Sequence, residues 1–144
     1  MKIKVGKAYN KGKEFLPCII EVEDGKFKSF NATGEADLDL SAYTVFPGFI
    51  DMHTHGGCGI EAVSASFEEL DDMSEFYAEG GAASFCATTV TESIDNLVAA
   101  EERISRRIKE GTRGASIAGI YLEGPFLSHE FRGAHEEKLL KIPT

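Results

Sequence analysis

The rhythm of hydrophobic and polar residues changes near Pro47-Gly48. Before that point the chain reads as short strands. Residues 15–22 form an apolar stretch, Asp24-Gly25 is a hairpin turn signal, and Lys26-Phe27-Lys28-Ser29-Phe30 alternates polar and aromatic side chains. Together they predict a β-hairpin, and residues 1–46 are expected to form a small β unit.

After Pro47 the period switches between strand and helix. Residues 49–55 are strand-like, Phe67, Leu70, Met73 and Tyr77 recur at helical spacing, and residues 83–90 are apolar and rich in small and β-branched side chains. Ser93 is placed to cap a helix that turns Leu97, Val98, Ile104 and Ile108 inward, with Gly111 as its stop. A third strand, residues 117–122, ends at Glu123-Gly124-Pro125. This β-α-β-α-β order requires right-handed crossovers and a parallel sheet, so the expected class is α/β, with strands near 48–55, 83–90 and 116–123. Residues 127–144 carry no strand pattern and predict a long loop with one short helix at 136–141. Three strands and two helices do not close a (β/α)8 barrel, which typically takes about 250 residues; the pattern is still running at the last residue.

Composition narrows the class. At 42% hydrophobic and 27% charged, the 144 residues have enough apolar material for a core. Fifteen Lys+Arg against 24 Asp+Glu give a net charge of -9, which argues against nucleic-acid binding, because that runs on clustered cations. The basic residues that do cluster, Arg103, Arg106, Arg107 and Lys109, read as the solvated face of one helix. Cys18, Cys58 and Cys86 are too few and too odd for a disulfide framework and fit a reducing compartment. No apolar run of signal-peptide or membrane-spanning length is present. The expectation is a cytoplasmic protein without a membrane span.

The strongest chemical signal is Asp51-Met52-His53-Thr54-His55-Gly56-Gly57. Strand alternation puts Asp51, His53 and His55 on one face and Ile50, Met52 and Thr54 on the other, with the imidazoles roughly 7 Å apart. Such a pair can bind one divalent metal, or can simply finish a strand and hydrogen-bond to loops. Glu123 stands at the end of the third strand and shares the face of Ile117, Gly119 and Tyr121 if alternation is regular. There it either faces a metal, the cation a buried carboxylate needs, or sits at an exposed junction. His135, in the loop that follows, can reach over the strand ends or lie at the surface; His129 reads as a surface residue. Cys58 matches no zinc spacing, and residues 87–91, Ala-Thr-Thr-Val-Thr, either pass near a ligand or pack as a strand.

Taken together, Phe46-Pro47-Gly48-Phe49-Ile50-Asp51-Met52-His53-Thr54-His55-Gly56, Ala87-Thr88-Thr89, Gly119-Ile120-Tyr121-Leu122-Glu123-Gly124-Pro125-Phe126 and Gly133-Ala134-His135 resemble the N-terminal part of the N-acetylglucosamine-6-phosphate deacetylase family of the amidohydrolase superfamily. The His-x-His run is shared across the superfamily; Leu-Glu-Gly-Pro-Phe followed by Gly-Ala-His is more specific. The resemblance implies a metal-dependent (β/α)8 TIM barrel beside a small β-sandwich built from both chain ends. Residues 1–46 would be part of the sandwich, and residues 47–144 the first β/α units of an incomplete barrel.

By motif, His53, His55 and Glu123 are the implied metal ligands, and Ala134 and His135 the implied substrate-binding pair. The implied metal is zinc, with iron or another transition metal as alternatives. One or two ions belong to the complete enzyme, and the His-x-His pair favours two. The implied reaction is hydrolysis of the acetamide of N-acetylglucosamine 6-phosphate, a phosphorylated amino sugar. In that family the catalytic aspartate, two further histidine ligands and most phosphate contacts lie on later strands, so no catalytic residue is assigned here and the chain alone is expected to be inactive. The alternatives are another amidohydrolase, such as a dihydroorotase or deaminase, and a non-catalytic folded fragment. Unpaired barrel edges predict a homo-oligomer or other self-association.

Overall fold

Two tight turns fold the first stretch of chain into two hairpins. Strand β1 (Lys2–Asn10) returns through Lys11-Gly12 into β2 (Lys13–Phe15), and β3 (Cys18–Glu23) returns through Asp24-Gly25 into β4 (Lys26–Ser29). Both central residues of each turn have positive φ, 49° and 72° in the first and 50° and 70° in the second, the backbone of a type I′ hairpin. The second turn is the predicted hairpin; the first was not singled out by the sequence pattern. β2 and β3 lie antiparallel to β1, with Ala8 opposite Phe15 and Ile3 opposite Ile20. β5 (Leu38–Val45) pairs parallel to β1 and completes a five-stranded sheet. Val5, Ala8, Cys18 and Ile20 form its buried core, with Phe15 and Phe30 stacked 4.8 Å apart against one another.

The structure, a computed structural model, describes residues 1–143 and divides into two compact units, Met1–Pro47 and Gly48–Thr144. The second unit runs β6 (Phe49–Thr54), β7 (Gly56–Gly57), β8 (Ile60–Glu61), α1 (Glu69–Glu79), β9 (Ala82–Thr89), α2 (Ile94–Glu110) and β10 (Ser116–Leu122). Its sheet has the order β10-β9-β6, and both pairings are parallel, as the strand-helix rhythm required. Leu70 and Met73 of α1, Ile104 of α2, Phe85 and Ala87 of β9 and Ile117 of β10 close one core between the helices and one face of the sheet. The helix starts are encoded locally. Ser66 and Glu69 exchange reciprocal hydrogen bonds, Ser66 N–H to Oε2 at 2.7 Å and Glu69 N–H to Oγ at 3.1 Å, which is a capping box. Ser93 Oγ accepts the Asn96 N–H, and α2 closes at Gly111 with φ 86°.

The basic stretch of α2 is only in part the solvated face expected of it: Arg106 and Lys109 are exposed, but Arg103 and Arg107 are not. Arg107 is buried and pairs with the buried Asp71 of α1 at 3.1 Å, while Arg103 donates to the carbonyls of Ala65 and Val63, both at 2.9 Å. These arginines staple α2 to the chain around α1, so their spacing serves packing. After β10 a single 3-10 turn, Glu137–Leu139, stands where a short helix was expected. Among the described residues no helix is long and apolar enough to cross a membrane.

Candidate metal centre

Strand β9 decides which side chains meet. Phe85 and Ala87 point into the core, so Cys86 and Thr88 turn to the opposite face, in register with Gly119 and Tyr121 of β10. Both flanking strands slip, β10 once and β6 twice. On β10 the register shifts between Ile117 and Gly119, which leaves Ile117 in the core and puts Gly119, Tyr121 and Glu123 on the other face. On β6 it shifts between Asp51 and Thr54, which pair with the core positions Phe85 and Ala87. Regular alternation is therefore overturned at two places. Ile117 does not share the face of Glu123, and Asp51 lies with Thr54 on the helix-covered face, opposite to His53 and His55. The Asp51 carboxylate instead accepts the His53 N–H at 3.1 Å, across the irregular step.

His53 and His55 converge on Glu123. Their Nε2 atoms lie 3.0 and 2.9 Å from Glu123 Oε2 and 3.3 Å from each other, and the His53 ring packs 4.6 Å from that of Tyr121. His135 reaches the same carboxylate from the loop, its Nε2 3.2 Å from Oε1. Burial alone raises the Glu123 carboxyl, but the hydrogen bonds from His135 and His53 and the charges of His55 and His53 outweigh it. The group is held below the ordinary carboxylate range and ionised at neutral pH.

Backbone groups orient the rings. His55 Nδ1 lies 3.3 Å from the Thr88 carbonyl, which can only accept; Nδ1 therefore carries a proton, and Nε2 is the ring atom turned to Glu123. His135 is set the opposite way. Its Nδ1 accepts the Thr91 N–H at 3.4 Å, so Nε2 carries the proton and donates to Glu123. Gly124 makes the strand end compact: at φ 92°, a Cβ there would overlap Thr91 Oγ1, which donates to the Glu123 carbonyl at 3.4 Å.

One ligand atom from each of His53, His55 and Glu123 lies within 4.8 Å of the others. Two imidazole nitrogens and a carboxylate are the donor set of a divalent transition metal. Ala134 and His135 line an adjoining cavity of about 670 Å³, together with Thr91, Glu123, Phe131 and Arg132. Cys58 is exposed and outside the ligand cluster, and exposed His129 pairs with Glu137 at 3.3 Å. In residues 87–91, Ala87 packs in the core, whereas Thr88 and Thr91 touch the histidines. Tyr77, legible only as an apolar helix position, also reaches this region, its hydroxyl donating to the Gly56 carbonyl at 2.6 Å.

This chain belongs to the amidohydrolase family, whose pattern matches residues 44–142; the family is typically metal-dependent. Within it, the chain is 36% identical over 109 residues to an N-acetylglucosamine-6-phosphate deacetylase of Vibrio furnissii, covering 75% of this chain and 27% of that one. It is 31% identical over 122 residues to an N-acetylgalactosamine-6-phosphate deacetylase of Escherichia coli O157:H7, covering 85% and 32%. Two solved structures of N-acetyl-D-glucosamine-6-phosphate deacetylase from Mycobacterium smegmatis superimpose on all of it with a TM-score of 0.87 at 28% identity, and one is a complex with N-acetyl-D-glucosamine-6-phosphate. The chain covers 41% and 38% of those structures. Its fold is thus that of their N-terminal part, an antiparallel β segment followed by the first β/α units of a barrel, and it spans about a quarter to a third of the curated relatives.

Proposed function

We propose that this chain supplies the first metal-binding strands of a deacetylase that hydrolyses the acetamide of N-acetylglucosamine 6-phosphate to glucosamine 6-phosphate and acetate, and that residues 1–144 alone do not turn over. The observation that carries the reading is the convergence of His53, His55 and Glu123, with His135 on the same carboxylate. In this reading His53, His55 and Glu123 hold zinc, or iron or another transition metal. A bound divalent ion supplies Lewis acidity, which acidifies water and polarises a carbonyl. His135 keeps a proton on Nε2, because Thr91 occupies its Nδ1; in this reading that proton turns from Glu123 to an acetamide oxygen as negative charge develops there. Ala134 lines the cavity that would hold the sugar.

The single-chain inactivity follows from what the resemblance assigns to later strands. A missing proton-transfer group alone removes about 10²- to 10⁴-fold of rate, and missing phosphate contacts remove the binding that positions the acetamide. The site is read as cytoplasmic, in line with three free cysteines. The E. coli relative favours a second substrate reading, the galactosamine epimer.

Acetate release from both N-acetylhexosamine 6-phosphates is the test, with this chain beside a polypeptide that continues through the later strands. Background release by residues 1–144 and turnover by the longer polypeptide support the reading. Turnover by residues 1–144, abolished by His53→Ala, overturns the inactivity, and a longer polypeptide that releases acetate from neither sugar overturns the deacetylase assignment.

A further inference from the structure

Among the described residues β6 is an edge strand whose one ladder, to β9, slips between Asp51 and Thr54. Backbone pairing therefore does not by itself fix the segment that carries both histidines, and side chains take over. Thr54 stands between His53 and His55 and points away from them, toward α1. Its N–H donates to Thr88 Oγ1 at 3.0 Å, and its hydroxyl meets the Tyr77 hydroxyl. Tyr77 donates in turn to the Gly56 carbonyl at 2.6 Å. The proton count closes with the tyrosine O–H on Gly56 and the threonine O–H shared between the tyrosine oxygen and the Gly56 carbonyl, which lies 3.3 Å from Thr54 Oγ1.

Tyr77 is itself fixed. Its ring packs 4.6 Å from that of Phe85, which is wholly buried, and burial keeps its phenol protonated by raising it above the ordinary range. The preceding residue presses on the same turn, since a Cβ at Gly57 would come 2.6 Å from Phe76 Cε1. One hydroxyl thus grips the chain on both sides of His55, at Thr54 and at Gly56, from the face opposite to the ligand atoms.

We propose that Tyr77 is a positioning residue for the metal centre, its hydroxyl setting the separation and aim of the His53 and His55 Nε2 atoms through Thr54 and Gly56. This rests on the metal reading above. Residues that orient ligands without touching the ion typically change metal affinity by about 10- to 100-fold, and Tyr77 is placed to act through two attachment points.

The test is cobalt(II) titration of residues 1–144, read by the visible ligand-field spectrum and by calorimetry. Tyr77→Phe keeps the ring on Phe85 and removes the hydroxyl; it should weaken cobalt by about 10- to 100-fold and alter the spectrum. Ile104→Val, a core change remote from the ligands, should lower thermal stability without moving either readout. Thr54→Val should reproduce the loss and Thr54→Ser should retain affinity, which keeps the proposal open to refutation if Tyr77→Phe does not fold. Wild-type uptake with unchanged affinity in Tyr77→Phe, or in Thr54→Val, overturns this inference alone. A wild-type chain that takes up no cobalt overturns the metal reading and this inference with it.

Discussion

Replacing Arg107 by methionine should come close to unfolding the second unit. The Arg107 and Asp71 side chains are only 10% and 11% exposed and lie 3.1 Å apart. Arg107 also donates to the carbonyls of Phe67 at 2.9 Å and Gly111 at 3.3 Å and packs 3.5 Å from the Phe67 ring centroid. Methionine keeps the apolar stem but leaves Asp71 with the Arg113 N–H, at 3.1 Å, as its remaining close partner. Stranding one half of a buried ion pair costs about 3–5 kcal/mol, a large part of the roughly 5–15 kcal/mol that holds a domain together. Urea unfolding followed by far-UV circular dichroism should register that loss. Asp71→Asn keeps an acceptor for Arg113 and removes the charge, so the double variant with Arg107→Met should be less destabilised than the sum of the singles by about 1–3 kcal/mol. A single variant that loses under about 1 kcal/mol, or strict additivity in the double, would show that the pair behaves as a surface bridge and that the burial argument is mistaken.

Three other outcomes follow from the geometry. Gly124→Ala places a Cβ against Thr91 at a backbone angle of 92° and should lower stability by more than about 1 kcal/mol, measured by thermal melting. The Ser66 N–H, and then its hydroxyl, hold the Glu69 carboxyl below its ordinary value. The capping box therefore contributes stability above the unfolded-state pKa of about 4.3 and loses it as pH falls through the lower folded value, so the gap between wild type and Glu69→Gln should narrow on acidification; a gap independent of pH in urea titrations would refute this. Finally, β6 exposes Phe49, Ile50 and Met52 to 72%, 66% and 72% beside an unpaired edge. Light scattering of residues 1–144 should therefore give a mass that rises with concentration, and a constant monomer mass would refute self-association through these edges.

The parts of this chain that were legible in sequence are those governed by local rules. Ser93 and Gly111 bound α2 because a cap hydroxyl and a left-handed glycine act within a few residues, and Asp24-Gly25 turns β3 into β4 for the same reason. The parallel order of the three barrel strands was legible because helices between strands leave few other topologies. What alternation misplaced, Asp51 and Ile117, lies beside register slips in β6 and β10, and a slip of one position moves a side chain to the other face. Such slips depend on how neighbouring strands fit, which no period-2 pattern encodes.

The candidate site divides along the same line. That His53, His55 and Glu123 are candidates for one cluster was legible because few residue types can serve a metal, and the structure brings the three together. Arg103 and Arg107 were misread because charge predicts solvation only until a partner is buried with it, and Asp71 is contributed by another helix, 36 positions away from Arg107 (107 − 71). Thr88, Thr91 and Tyr77 were harder still. On the histidines two of them act through backbone groups, Thr88 through its carbonyl on His55 and Thr91 through its N–H on His135, which leave no trace in residue identity; only their hydroxyls, which hold Thr54 and the Glu123 carbonyl, are written in the sequence. Tyr77 does carry its identity into the site, but its place in an apolar helical stripe is accounted for by packing on Phe85 alone. The hydroxyl distinguishes the two roles, since phenylalanine would satisfy the core equally and would take the tyrosine hydroxyl from Thr54 and Gly56. A tyrosine where the helical pattern asks only for an apolar ring therefore implies a polar partner beneath it, and here that partner is the chain on either side of His55.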